Sequence, residues 1–210
     1  MSAIIKNIIF DLGQVLLDLD KKRCLDAFSK VSFTTAGKLL EQNERSQFFG
    51  AYECGDITSA EFRNAVRDMC TTACSDNEID AIWNSMLVII PKEKLQLLIE
   101  LRKNYQICLL SNTNEIHWNY VTTHFFEQQG INPETCFDHI FLSYKIREKK
   151  PSQAIYLKAL DEGNMKPEET LFIDDLEENC HAAAALGIQT IHYIPGSSLP
   201  VAVNNFLTTL

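Results

Sequence analysis

Asp11, Ser111, Asn112, Lys150, Asp174 and Asp175 are the residues of this chain whose types and spacing point to chemistry. Asp11 closes the near-continuous apolar run from Ile4 to Phe10, and a glycine, Gly13, follows two residues later. An ionised carboxylate at the mouth of a hydrophobic strand is costly unless a metal or a cation pairs with it. Two further apolar runs end on polar clusters: Gln106–Leu110 on Ser111-Asn112-Thr113-Asn114, and Leu171–Ile173 on Asp174-Asp175. Between them, Lys149-Lys150-Pro151 stands directly ahead of a helical pattern. In chain order these supply a carboxylate, a hydroxyl with an amide, a cation and a paired carboxylate. Each also has an ordinary structural reading. An Asp after a strand caps a turn, Ser-Asn-Thr-Asn is an N-cap cluster, and Lys150 is a surface lysine in the charged run Arg147–Lys150. The acidic pair, in the same vein, caps a helix.

The elements that must position these residues favour the chemical reading. The apolar runs are short, rich in β-branched residues and bounded by turn signals, as buried parallel strands are. From Pro91, a residue suited to a helix's first turn, strands alternate with helices to the end. Helices are expected near Leu95–Lys103, over Glu115–Gln129, after Pro151 and around Cys180–Leu186. The strands between them are Ile107–Leu110, Ile140–Leu142, Leu171–Ile173 and Thr190–Tyr193. Such alternation implies right-handed βαβ units and a parallel sheet that the N-terminal strand joins. In open sheets of this kind ligands bind at the carboxyl ends of the strands, where the polar clusters stand.

From Lys21 to about Ile90 the pattern is helical, with no convincing strand. Thr58–Glu61 and Ser75–Glu78 fit the capping box, in which a hydroxyl and a later carboxylate satisfy exposed backbone N–H groups. Behind them Phe62, Ala65, Val66 and Met69, then Ile79, Ile82, Trp83 and Met86, recur at helical spacing. The expected fold class is therefore α/β: a Rossmann-like parallel sheet core formed by residues 1–18 and 91–210, with a small all-helical cap inserted at 19–90. Phe48, Phe49, Tyr52 and Glu53 fall in the inserted block just before Gly55. Aromatics there can touch a sugar, although packing within the block is their commoner use. His117, close behind the second polar cluster, reads as a packed or solvated helix residue and takes no role.

A chain of 210 residues, 46% hydrophobic, can bury one sizeable core plus a small accessory unit. Its net charge of −9, with no basic cluster longer than Lys21-Lys22-Arg23, argues against a nucleic-acid partner. No segment approaches the roughly 20 uninterrupted apolar residues of a membrane span. Asp11 also cuts the N-terminal apolar run before it reaches the length of a signal-peptide core. A cytoplasmic location is the expectation, and the oligomeric state stays open. Of the seven cysteines only Cys70 and Cys74 are spaced like metal ligands, and no second pair follows. They read as small reduced hydrophobes.

Phe-Asp-Leu-Gly at 10–13, Leu-Ser-Asn-Thr-Asn at 110–114, Lys-Lys-Pro at 149–151 and Ile-Asp-Asp-x-x-x-Asn at 173–179 together resemble the four motifs of the haloacid dehalogenase-like hydrolase superfamily. Within it, the chain is most similar to the bacterial sugar-phosphate phosphatases that include the α-D-glucose-1-phosphate phosphatase. The resemblance runs from Ile8 to Gly187 and implies a Mg²⁺-dependent phosphatase of a small phosphorylated metabolite. Asp11 then attacks phosphorus and forms an aspartyl-phosphate. Mg²⁺, which prefers hard oxygen ligands, is held by Asp11, Asp175 and the main-chain carbonyl of Gly13, with Asp174 bridging or acting through water. Ser111, Asn112 and Lys150 meet the phosphoryl oxygens, and Lys150 also faces Asp11. Asn179 orients the loop after Asp175 or faces solvent.

One residue departs from the pattern. Most phosphatases of this superfamily carry a second Asp two residues after the nucleophile, which protonates the leaving alkoxide. Here that position is Gly13. General acid–base assistance is worth typically about 10²–10⁴-fold. Three readings stay open. The substrate's leaving group departs without an acid, as the anomeric hydroxyl of a sugar 1-phosphate can; or another group supplies the proton; or the chain is a regulator that binds a phosphorylated ligand without turnover. A phosphomutase leans on the missing acid, and a 2-haloacid dehalogenase works without the metal that Asp174-Asp175 would hold. A positive φ at Gly13 would make an Asp there cost about 1 kcal/mol of strain.

Overall fold

The computed structural model describes residues 4–31 and 47–209. The five strands anticipated from the apolar runs form, and they lie in one parallel sheet: β1 (Asn7–Phe10), β4 (Gln106–Ser111), β5 (His139–Leu142), β6 (Thr170–Asp174) and β7 (Gln189–His192), in the spatial order β5-β4-β1-β6-β7. β1 is central, with Ile8 opposite both Ile107 of β4 and Leu171 of β6. Side chains of a strand alternate between its two faces, and here both faces are buried. Ile8, Phe10, Ile107, Leu109, Leu171 and Ile173 feed one hydrophobic cluster, while Ile9, Cys108, Leu110 and Phe172 feed the other. That accounts for strands that read as continuous apolar runs. The register also brings the carboxyl ends of β1, β4 and β6 to one edge, which aligns Asp11, Ser111 and Asp174.

Between β1 and β4 run β2 (Asp18–Leu19), α1 (Lys21–Lys30), α2 (Gln47–Glu53), α3 (Ser59–Met69), α4 (Asp76–Asn84), β3 (Leu87–Ile89) and α5 (Lys92–Leu101). Both capping boxes form. Thr58 and Ser75 accept from the backbone of Glu61 and Glu78, and the two carboxylates return the bond. The interior of this helical block is aromatic. Phe62 stacks on Tyr52 with ring centroids 4.3 Å apart, and Phe49 stacks on Trp83 at 5.2 Å. Residues 32–46 of the expected 19–90 insertion lie outside the described residues. One detail differs from the sequence reading: Leu87–Ile89 is a strand, paired antiparallel with Asp18–Leu19. Three apolar residues between a helix and Pro91 carry too little periodicity to reveal it.

The remaining helices are α6 (Glu115–Val121), α7 (Pro133–Cys136), α8 (Ser143–Ile146), α9 (Gln153–Glu162), α10 (Glu177–Ala184) and α11 (Leu199–Thr208). The helical path expected over Glu115–Gln129 is continuous but changes type, passing through a π-helical turn at Thr122–Phe126 and a 3₁₀ turn at Glu127–Gln129. No helix among the described residues is long and apolar enough to cross a membrane. All seven cysteines are free.

Gly55, in the turn between α2 and α3, packs the helical block against α8, the helix that follows β5. Its φ of +70° is left-handed, and a Cβ there would stand 2.2 Å from the backbone oxygen of Tyr144 in α8. Neither the strain nor the clash can be relieved by a side-chain rotation. Gly55→Ala is expected to cost about 3 kcal/mol or more, read as a lowered midpoint in urea. An unchanged midpoint would refute this packing.

Candidate active site

A cavity of about 360 Å³ opens over the carboxyl edge of the sheet, lined by Asp11, Gly13, Ser111, Asn112, Lys150, Asp174 and Asp175. Residues from four separated stretches thus meet in one place. The helical block contributes the opposite wall, through Gly50, Glu53, Trp83 and Met86.

Lys150 is the hub. Its ammonium is 4% exposed as a residue and donates to Asp11 Oδ1 at 2.6 Å, Asp174 Oδ2 at 2.7 Å and the carbonyl of Leu110 at 3.0 Å. All three donors of an ammonium are thereby engaged. Burial opposes its charge, and the carboxylates of Asp11 and Asp174 outweigh that, so its pKa lies above the ordinary lysine value. Asp11 is pushed up to about 7, chiefly by burial; Lys150 opposes the rise, while Asp174 and Asp175 add to it. Asp175 is raised as well, by burial and then by the neighbouring Asp174.

The two amides that sequence alone leaves ambiguous have definite tasks. Asn112 donates to the carbonyl of Lys150 at 2.9 Å and accepts from its backbone N–H at 2.9 Å. Its side chain is therefore a clamp on the lysine's backbone, rather than a group extended toward a phosphoryl oxygen. Asn179 donates to Asp174 Oδ1 at 2.9 Å, and the backbone N–H of Leu176 donates to the same oxygen at 2.8 Å. With Lys150 on Oδ2, both oxygens of Asp174 are occupied. The N-cap reading of Ser-Asn-Thr-Asn is met by Asn114 alone, which accepts from His117 N. Ser111, at the end of β4, lines the cavity.

The donor set suits a hard divalent cation. Oxygens of Asp11, Asp174 and Asp175 lie within 4.8 Å of one another, and carboxylate oxygens are what Mg²⁺ selects. Asp11 Oδ2 lies on the Gly13 side, about 3.9 Å from where a Cβ at Gly13 would stand. The carbonyl of Gly13 accepts from Val15 N at 2.7 Å, which leaves one of its two lone pairs. Asp174 already accepts three hydrogen bonds, two on Oδ1 and one on Oδ2, so Asp11 and Asp175 are the carboxylates better placed to hold a metal directly.

Gly13 itself has no left-handed φ; the positive value in this turn belongs to Gln14, at 60°. The strain that a positive φ would impose on an Asp at this position therefore does not arise. His117 is buried, and burial holds its pKa down at about 4. It packs between Asn114 and the carbonyl of Trp83, with its ring stacked on Trp83. Phe49 and Tyr52 are core residues of the helical block, whereas Glu53 lines the cavity.

Known proteins similar to this chain point to one family. Residues 8–193 match the family model described as haloacid dehalogenase-like hydrolase. The chain is 31% identical to a D-ribitol-5-phosphate phosphatase of Bacteroides thetaiotaomicron, over 89% of this chain and 90% of that protein. A haloacid dehalogenase family enzyme of the same organism, crystallised with magnesium and inorganic phosphate, superposes with a TM-score of 0.87 at 41% identity, covering 92% of this chain and 96% of the other. A haloacid dehalogenase-like hydrolase structure from Porphyromonas gingivalis gives a TM-score of 0.89 at 28% identity, over 98% of both chains. The chain belongs to the haloacid dehalogenase-like hydrolases.

Proposed function

We propose that this chain hydrolyses the phosphate ester of a small sugar or sugar alcohol, with Asp11 as the nucleophile. At the coarser level it is a Mg²⁺-dependent phosphatase of a phosphorylated metabolite. The family match and the phosphatase relative support that, as does the magnesium and phosphate complex of a similar enzyme. The observation that carries the finer reading is the position of Asp11 in the cavity. One oxygen is held by Lys150 at 2.6 Å and the other lies on the Gly13 side.

The residues divide the work as follows. Lys150 aims the Asp11 carboxylate and lowers the cost of keeping it ionised. Asn112 and Asn179 fix Lys150 and Asp174 in turn. Ser111 meets the phosphoryl oxygens as the ester approaches; the Lys150 ammonium, its three donors held by Asp11, Asp174 and the Leu110 carbonyl, adds its positive charge beside them. Asp11, Asp175 and the carbonyl of Gly13 hold Mg²⁺, with Asp174 supporting through Lys150. The ion supplies charge neutralisation for the phosphoryl group. Asp11 attacks phosphorus, the P–O bond to the leaving oxygen breaks, the alkoxide departs and takes a proton from water, and a second water hydrolyses the aspartyl-phosphate to phosphate and the free carboxylate. The block over residues 19–90 acts as a cap that selects the leaving alcohol, because it forms the wall facing Asp11 and carries none of the four motifs. Retention of the nucleophile, the cation and the acidic pair speaks against a binder without turnover.

Two substrate readings each rest on an observation. The absence of an acid at Gly13 favours a sugar 1-phosphate, whose anomeric oxygen leaves readily. The ribitol-5-phosphate phosphatase relative favours the ester of a primary alcohol. Phosphate release from a panel of sugar 1-phosphates, sugar 5- and 6-phosphates and sugar-alcohol phosphates, assayed with Mg²⁺ and with EDTA, decides between them. Release from no member, or release undiminished by EDTA, would refute the proposal.

A further inference from the structure

We infer that Glu53 and Lys149 form the subsite that binds the hydroxyl groups of the leaving alcohol, an inference that rests on the sugar- or polyol-phosphate reading above. Both residues line the cavity that Asp11 lines, Glu53 from α2 of the helical block and Lys149 from the segment ahead of α9. Glu53 Oε2 and Lys149 Nζ stand 3.9 Å apart, close enough to pair and too far for a direct hydrogen bond. A hydroxyl placed there donates to the carboxylate and accepts from the ammonium, completing a contact that the pair alone does not make. The opposed charges also select against other groups. A second phosphate or a carboxylate on the leaving group meets Glu53, and an amine meets Lys149.

The backbone that carries each side chain is anchored. Lys149 immediately precedes Lys150, whose backbone is clamped at N–H and carbonyl by Asn112. The carbonyl of Glu53 accepts from Ser143 Oγ at 2.6 Å, and that same oxygen accepts from Thr113 N at 2.9 Å, just beyond Ser111. Both members are therefore indexed to the nucleophile's end of the sheet. On α2 the residue one turn before Glu53 is Gly50, where a Cβ would come 3.1 Å from Lys149 Nζ. The glycine gives the ammonium its place. Phe49 and Tyr52 of the same helix are turned into the aromatic core, so α2 meets the cavity through Gly50 and Glu53.

The test compares ribitol 5-phosphate with n-pentyl phosphate, an ester of the same chain length without hydroxyls, at saturating Mg²⁺. The natural protein should favour ribitol 5-phosphate in kcat/KM. Glu53→Gln keeps the backbone bond to Ser143 and removes the charge, and should lower that preference by about tenfold or more, mainly through KM. Lys149→Met should lower it in the same direction and does not involve the Ser143 contact, so it stands as an independent check on folding. Loss of activity by one factor on both esters in both variants would overturn the subsite. So would a natural protein that hydrolyses both esters equally, and that outcome leaves the phosphatase itself standing. Release from neither ester overturns the subsite, and the phosphatase reading falls with it only if the sugar 1-phosphates of the panel also release nothing.

Discussion

Asp11→Asn should reduce phosphate release by at least about 10⁴-fold, because an amide cannot form the covalent intermediate and removing a nucleophile typically costs that much or more. The same substitution has a second, thermodynamic signature. In the natural protein burial lifts Asp11 from 3.8 to about 7, against the pull of Lys150. The folded state then binds the Asp11 proton more tightly than the unfolded state does. Between those two pH values the folded protein carries more protons, so this group's contribution to stability declines as pH rises. The stability advantage of metal-free natural protein over Asp11→Asn should therefore shrink as pH rises from 4 to 7, and Mg²⁺ should restore more stability to the natural protein at the upper end, where the carboxylate is ionised. Asp11→Asn removes the titrating group, so its metal-free melting curve should be flatter across that window and gain less from Mg²⁺. Thermal melts in EDTA and in Mg²⁺, run beside the phosphate assay, read both effects. Undiminished turnover in the purified variant would sink the mechanism.

The polar ends of β1, β4 and β6 were legible because an apolar run that stops on a carboxylate or hydroxyl leaves few structural options. The parallel sheet then makes those ends neighbours whatever the loops do. The partners inside the site were not legible in the same way. Asn112 holds the backbone of Lys150, 38 residues further on, and nothing local to either residue encodes that meeting. It follows from the placement of β4 beside β1 and from the path of the chain ahead of α9. Asn179 reaches Asp174 across five residues because the backbone turns between β6 and α10, a geometry that spacing alone leaves open. The phase of α2 was equally hidden. Four candidates, Phe48, Phe49, Tyr52 and Glu53, lie on one short helix, and only packing decides which faces the cavity. Aromatic stacking draws Phe49 and Tyr52 inward, which leaves Glu53 toward the site. The ribbon of β2 and β3 escaped for a related reason: two- and three-residue strands are made by their pairing, not by their periodicity.

Gly13→Asp should open the active site to esters that the natural protein handles poorly. Without a carboxylic acid at this position the leaving oxygen departs bearing more negative charge, so the natural rate should fall steeply as the alcohol's pKa rises. Sugar 1-phosphates and aryl phosphates should lead, with esters of ordinary primary alcohols behind. The backbone at Gly13 admits a side chain, since its φ is not left-handed. A Cβ would approach Leu19 Cδ1 at 3.1 Å, and the far end of a leucine can yield a few tenths of an ångström. It would also stand 3.9 Å from Asp11 Oδ2. Proximity to that carboxylate raises the pKa of the introduced acid, which favours the protonated form a general acid needs. The poor-leaving-group esters should gain most, up to about 10²–10⁴-fold, and aryl phosphates least, flattening the dependence on leaving-group pKa. A series of phosphate esters spanning that pKa, assayed at saturating Mg²⁺ with both proteins, tests the account. If the natural protein is already indifferent to leaving-group pKa, then a group other than residue 13 delivers the proton, and the glycine is not what sets this chain's choice of substrate.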